Sequence, residues 1–79
     1  MKVSDKMSWK TEVHSTILKI CAPGQSFVLE DLYRYRENFK KIYPDNNHID
    51  DKIRQTLQYL RNDGIVKFND DHGSYTLLK

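Results

Sequence analysis

Three features of this sequence predict an α+β domain, with three helices and a small three-stranded antiparallel sheet. The first is the stretch Asn46 to Gly64, NNHIDDKIRQTLQYLRNDG, where Ile49, Ile53, Leu57 and Leu60 recur at helical spacing and line one stripe. The second is a pair of earlier helical patterns separated by a short β-prone run. The third is a pair of β-prone segments around a polar turn after Gly64. Helix, short strand, helix, turn, helix, hairpin is the order of a winged helix-turn-helix.

Met1 to Met7 carries three charges and no periodicity, so it reads as a flexible tail or linker, leaving residues 8–79 as the folded domain. Ser8 is placed to cap the first helix, Trp9 to about Ala22, whose apolar positions are Trp9, Val13, Ile17, Ile20 and Cys21. Pro23-Gly24 ends it. Ser26-Phe27-Val28 is too short to stand alone and needs strands further on to pair with.

Leu29 to Tyr43 reads as a second helix, in which Leu32, Tyr35 or Arg36, Phe39 and Ile42 or Tyr43 approximate an apolar stripe. Glu30 and Asp31 suit its positive end; Lys40 and Lys41 suit its negative end. Pro44 closes it, and Asp45-Asn46-Asn47 turns into the third helix. Asn46 or Asn47 is expected to cap that helix, Asp50 and Asp51 complement its dipole, and Gly64 suits the left-handed position past its end. Ile65 to Phe68 and Ser74 to Leu78 then form a hairpin around the polar turn Asn69 to Gly73.

Seventy-nine residues support one small core and no second domain. The 38% apolar share and the aromatic content supply enough apolar area to offset chain entropy, which argues against disorder. No apolar run approaches a membrane span and the Met-Lys-Val-Ser-Asp start lacks a signal peptide's apolar core, so the chain reads as cytoplasmic. One cysteine, Cys21, makes no internal disulfide, and His14, His48 and His72 are scattered, so no metal and no cofactor are expected. Pro44-Asp45 with Asp50-x-Lys52 imitates a metal-nuclease signature. Those acids straddle a turn and a helix start with no partner acid behind them, so capping and dipole matching explain them better, and no enzyme activity is expected.

The outward side of the third helix carries His48, Asp51, Lys52, Gln55, Gln58, Tyr59 and Asn62, with Arg54 and Arg61 on one flank. Gln and Arg pair bidentately with adenine and guanine edges, whereas a merely solvated helix more often shows Glu and Lys. The last helix before a wing enters the major groove. That makes Asn47, His48, Asp51, Arg54, Gln55, Gln58 and Tyr59 candidates for base contact and Lys41, Lys52, Arg61 and Lys67 candidates for phosphate contact, a reading that the residues alone leave level with a solvated face. Arg34, Arg36 and Lys40 are further basic residues able to flank a groove. The bland alternative is a solvated surface with pairs such as Asp50 to Arg54. Trp9 and Cys21 read as core, and Tyr33, Tyr35 and Tyr43 as core edges with wet hydroxyls. A net charge of +2 does not by itself declare a nucleic-acid binder.

The segments Tyr43-Pro44, Asn46-Asn47, Lys52-Ile53-Arg54-Gln55, Leu57-Gln58-Tyr59-Leu60-Arg61, Gly64-Ile65-Val66, and Gly73 with Tyr75 resemble one family over Trp9 to about Leu77. It is the C-terminal winged helix of DpnI-type, adenine-methylation-directed restriction endonucleases. The resemblance implies binding of duplex DNA at 5′-GATC carrying 6-methyladenine. It also implies a role as second reader beside a PD-(D/E)xK nuclease domain, carried on the same chain or on a partner. Two rivals remain at this point. A protein-interaction winged helix suits the near-neutral charge and the acidic Asp70-Asp71 wing tip, and a transcriptional regulator would read an unmethylated operator, normally as a dimer.

Overall fold

The computed structural model describes residues 5–69 and 73–79, with side chains from Ser8 onward. The elements are α1 (Asp5–Ile20), β1 (Ser26–Val28), α2 (Leu29–Tyr33), α3 (Arg36–Ile42), α4 (Ile49–Asn62), β2 (Val66–Phe68) and β3 (Ser74–Leu77). The sheet order is β1-β3-β2, antiparallel throughout, with Phe27 opposite Tyr75 and Val66 opposite Leu77. This is the α+β winged helix-turn-helix that the element order predicts. The wing turn falls largely on residues 70–72, outside the described residues.

Two helices differ from expectation. The first begins at Asp5, so residues 5–7 are helical and Ser8 lies inside the helix instead of capping it. Ser8 instead shares a hydrogen bond between its hydroxyl and that of Tyr43. The single helix expected over Leu29 to Tyr43 is two, giving four helices among the described residues in place of three. Tyr35 N–H donates to the Leu32 carbonyl at 3.0 Å, a tight bond that closes α2, and the Tyr35 carbonyl accepts from Asn38 and Phe39 to open α3. The bend buries both Leu32 and Phe39 fully while bringing Arg36 to the start of α4.

The core forms because α1, α2, α3 and β2 each offer an apolar face to α4, and β1 and β3 extend it through the sheet. Trp9, Val13 and Ile17 of α1 are buried with Ile53, Leu57 and Leu60 of α4, closed on one side by Leu32 and Phe39 and on the other by Phe27, Val66, Tyr75 and Leu77. The Trp9 ring stacks on Tyr43 with centroids 4.3 Å apart and on Phe39 at 5.5 Å, which ties α1 to α3 and the turn after it. Of the alternatives in the second stretch, Tyr35 and Tyr43 pack against the core, while Arg36 and Ile42 are exposed. Thr56 is also buried, its hydroxyl donating to the Lys52 carbonyl at 2.6 Å.

The sheet joins the helices through backbone bonds. Val28 N–H donates to the Asp31 carboxylate at 3.1 Å, and Leu29 N–H to the Gly73 carbonyl at 2.8 Å, so β1 runs straight into α2 beneath the wing. Gly73 has φ +83°, and a Cβ there would sit 3.3 Å from that of Leu29. Only glycine takes both the conformation and the approach without strain.

Replacing Leu57 by Ala is expected to lower stability by about 2–5 kcal/mol, because it empties a fully buried site on the central helix. Gly64→Ala is expected to lower it by about 1–2 kcal/mol: its φ is +76°, and no atom lies near enough to clash, so backbone strain alone acts. Urea denaturation followed by Trp9 fluorescence measures both. An unchanged midpoint for Leu57→Ala would mean that α4 is rotated from the orientation described.

Candidate nucleic-acid interface

Both ends of α4 are fixed by its neighbours. At the start, Asn46 does not cap the helix. Its side-chain oxygen accepts the His48 N–H at 2.7 Å, its carbonyl accepts from Lys40 at 3.0 Å, and His48 occupies the cap position without a side-chain bond. A turn pinned this way sets the entry angle of α4 from the loop side. At the far end, Gly64 N–H donates to the Arg61 carbonyl and Ile65 N–H to the Leu60 carbonyl, the paired bonds of a Schellman ending. Lys10 of α1 reaches Asp63 there at 2.7 Å.

The strongest polar contact across the helix-turn-helix is between Arg36 and Asp50. Nε and Nη2 of Arg36 each donate to one Asp50 oxygen at 2.8 Å, a bidentate pair. It takes the place of the Asp50 to Arg54 pair that helical spacing offered as the bland alternative, and Arg54 is exposed on the outer flank. The Arg36 guanidinium also lies 5.4 Å from the centre of the Tyr33 ring. Burial, reinforced by Asp50, pushes the Tyr33 hydroxyl above the usual phenol range, against the opposing pull of Arg54 and Arg36. The end of α2 therefore borders the first turns of α4.

The predicted site residues fall into two groups and a remainder. His48, Asp51, Lys52 and Gln55 line one open depression of about 420 Å³ with Asn46, at the N-terminal half of α4. His48 and Asp51 are both strongly exposed, with Nδ1 and a carboxylate oxygen 4.0 Å apart. Asn47 joins His48 and Asp51 along a neighbouring depression that runs toward Arg36 and Lys40. Arg61 and Lys67 meet at the other end, in a depression of about 570 Å³ beside Phe68, where the Arg61 guanidinium lies 5.0 Å from the Phe68 ring centre. Gln58 is exposed and Tyr59 half-buried on the face between them. Lys41 is exposed on α3 and lines none of these depressions.

Sequence reasoning did not find Arg36 as the partner of Asp50, nor Phe68 as the platform for Arg61. Both contacts bridge separate elements, and no local spacing signals them. Cys21, just past α1, has its thiol pushed up by burial and then by Asp31, as suits a packing residue and not a nucleophile. Among the described residues no three His, Cys, Asp or Glu side chains gather to hold a metal, and no helix is long and apolar enough to cross a membrane.

The element order, the β1-β3-β2 sheet and the last helix running into the wing define a winged helix-turn-helix domain, the class in which that helix enters the major groove of DNA. Comparison with known families makes this specific. Residues 5–76 match the Dam-replacing HTH domain, and the chain belongs to that family, which is found in DpnI-type restriction enzymes.

A double-mutant cycle on Arg36→Ala and Asp50→Ala is expected to give a coupling of about 0.2–1 kcal/mol, falling as salt is added, because both side chains are about half exposed. Urea melts of the four proteins at two ionic strengths measure it. Zero coupling at low salt would remove the pair as a determinant of how α4 is seated.

Proposed function

We propose that this domain reads 6-methyladenine in duplex DNA at 5′-GATC, with α4 in the major groove, as the second reader beside a nuclease domain. The observation that carries the reading is the exposed Gln55, set in the open depression of the N-terminal half of α4, on a chain of the Dam-replacing HTH family. Recognition helices reach base edges from that half. A carboxamide donates to N7 of adenine and accepts from its exocyclic amine, and a methylated amine in a paired base keeps one hydrogen for that bond. The methyl group then needs apolar surface. The half-buried Tyr59 ring, one turn along the same face, supplies it, and burying a methyl is worth about 0.8 kcal/mol.

Asn47, His48, Asp51, Arg54 and Gln58 complete the base-facing set, and Lys41, Lys52, Arg61 and Lys67 serve the backbone. Lys52 and the Arg61–Lys67 pair flank the helix toward its two ends, nine residues or ~14 Å apart along the axis between Lys52 and Arg61. That separation suits contacts to the phosphates on either side of one groove, which is ~12 Å wide.

The direct test is a titration of duplexes carrying GATC with no, one or two 6-methyladenines, against a scrambled control, over a range of salt. The expected order is two methyls, then one, then none, with affinity falling as salt rises. Equal binding of all four duplexes would refute the reading. Gln55→Ala is expected to lose about 1–3 kcal/mol on the methylated duplex while scrambled binding barely moves. Lys52→Ala and Arg61→Ala are expected to weaken methylated and unmethylated duplexes alike and to flatten the salt slope. A change of sequence preference with an intact slope would contradict the phosphate role.

A further inference from the structure

We infer that Asp51 reads the exocyclic amine of a cytosine, one or two base pairs from the adenine addressed by Gln55; the inference rests on the placement of α4 in the major groove proposed above. Asp51 is the carboxylate that α4 leaves outward and uncommitted. Its neighbour Asp50 is neutralised by two bonds from Arg36, and Asp63 beyond the helix end is neutralised by Lys10. The Asp51 side chain is 78% exposed, and among the described residues its one ion-pair partner is His48 at 4.0 Å, beyond hydrogen-bond range.

An ionised carboxylate only accepts hydrogen bonds. Brought against DNA without a donor, it is repelled by phosphates and loses water with nothing in exchange. The major groove offers two donors, the N6 amine of adenine and the N4 amine of cytosine. Adenine places the N7 acceptor beside its amine, which suits the carboxamide of Gln55 and repels a second carboxylate. Cytosine carries its amine with no acceptor on its own groove edge, and that is the partner a carboxylate fits.

Position supports the pairing. Asp51 and Gln55 line the same depression, flanked by Lys52. Four helical residues rise ~6 Å, against ~3.4 Å per base pair, so the two side chains address base pairs one or two steps apart. The ammonium of Lys52 at the rim offsets part of the repulsion between Asp51 and the backbone.

The test titrates wild type, Asp51→Ala and Gln55→Ala against the fully methylated GATC duplex, with each nearby cytosine replaced in turn by 2-pyrimidinone, which lacks only the amine. At one cytosine the replacement is expected to weaken wild type and Gln55→Ala by about tenfold or more, and Asp51→Ala by about twofold or less. If no replacement weakens wild type selectively, or if Asp51→Ala tightens every duplex equally, Asp51 is a repulsive rim charge and the inference falls. The groove reading is scored separately, by whether Gln55→Ala loses specific but not scrambled binding. Should that also fail, both fall together. A cooperative melt of Asp51→Ala only slightly below wild type, the loss being its match to the helix dipole, is expected for so exposed a side chain and excludes misfolding as the cause.

Discussion

Burial of the Ile53, Leu57 and Leu60 stripe against Trp9, Val13 and Ile17 is the contact on which the rest of this structure depends. It joins the longest two helices over their apolar faces and decides which way α4 is rotated. Since the residues four apart on the other side are polar, that one rotation also decides what faces out. A shift of one position, about 100°, would bury Arg54 or Gln58 and expose a leucine. The penalty for burying an unpaired guanidinium far exceeds any local gain, so core and interface are fixed by the same choice.

Periodicity made α4, its outer face and the hairpin legible, because a strong two-sided pattern over fourteen residues leaves little freedom. The break at Arg34-Tyr35 was not legible. Neither glycine nor proline marks it, and the apolar spacing from Leu32 to Phe39 suits a straight helix as well as a bent one. Thr56 falls on the buried stripe by position, yet its hydroxyl disguised it. It is tolerated there because the i−4 carbonyl satisfies it. The Asn46 cap failed for a related reason. The side chain closes a turn with His48 one step before the helix, an alternative always open to asparagine.

The candidate interface was legible as a face and not as a set of interactions. Spacing put His48, Asp51, Lys52 and Gln55 together, and they share one depression. Spacing also suggested that Asp50 belonged to Arg54, whereas the bend after α2 delivers Arg36 to it. Pairing across elements depends on tertiary placement, which a helical wheel does not contain. The consequence reaches the surface: Arg36, one of the basic residues able to flank a groove, is engaged by Asp50, and Arg54 has no ion pair among the described residues.

That exchange bears on how a domain of net charge +2 holds DNA. Several cations are already occupied within the fold: Arg36 with Asp50, Lys10 with Asp63, Lys40 with the Asn46 carbonyl, and Arg61 against the Phe68 ring. Arg61 keeps its charge toward solvent, but its direction is set by the ring beneath it, which would lower the entropy lost in the phosphate contact proposed for it. Non-specific attraction to a duplex scales with the phosphates neutralised, and a near-balanced net charge keeps its long-range part modest. On the proposed reading, contact with the backbone positions the domain and carries no sequence information. Selectivity on that reading rests on the polar groups of α4 meeting matching base edges, because a mismatch leaves those groups desolvated and unpaired.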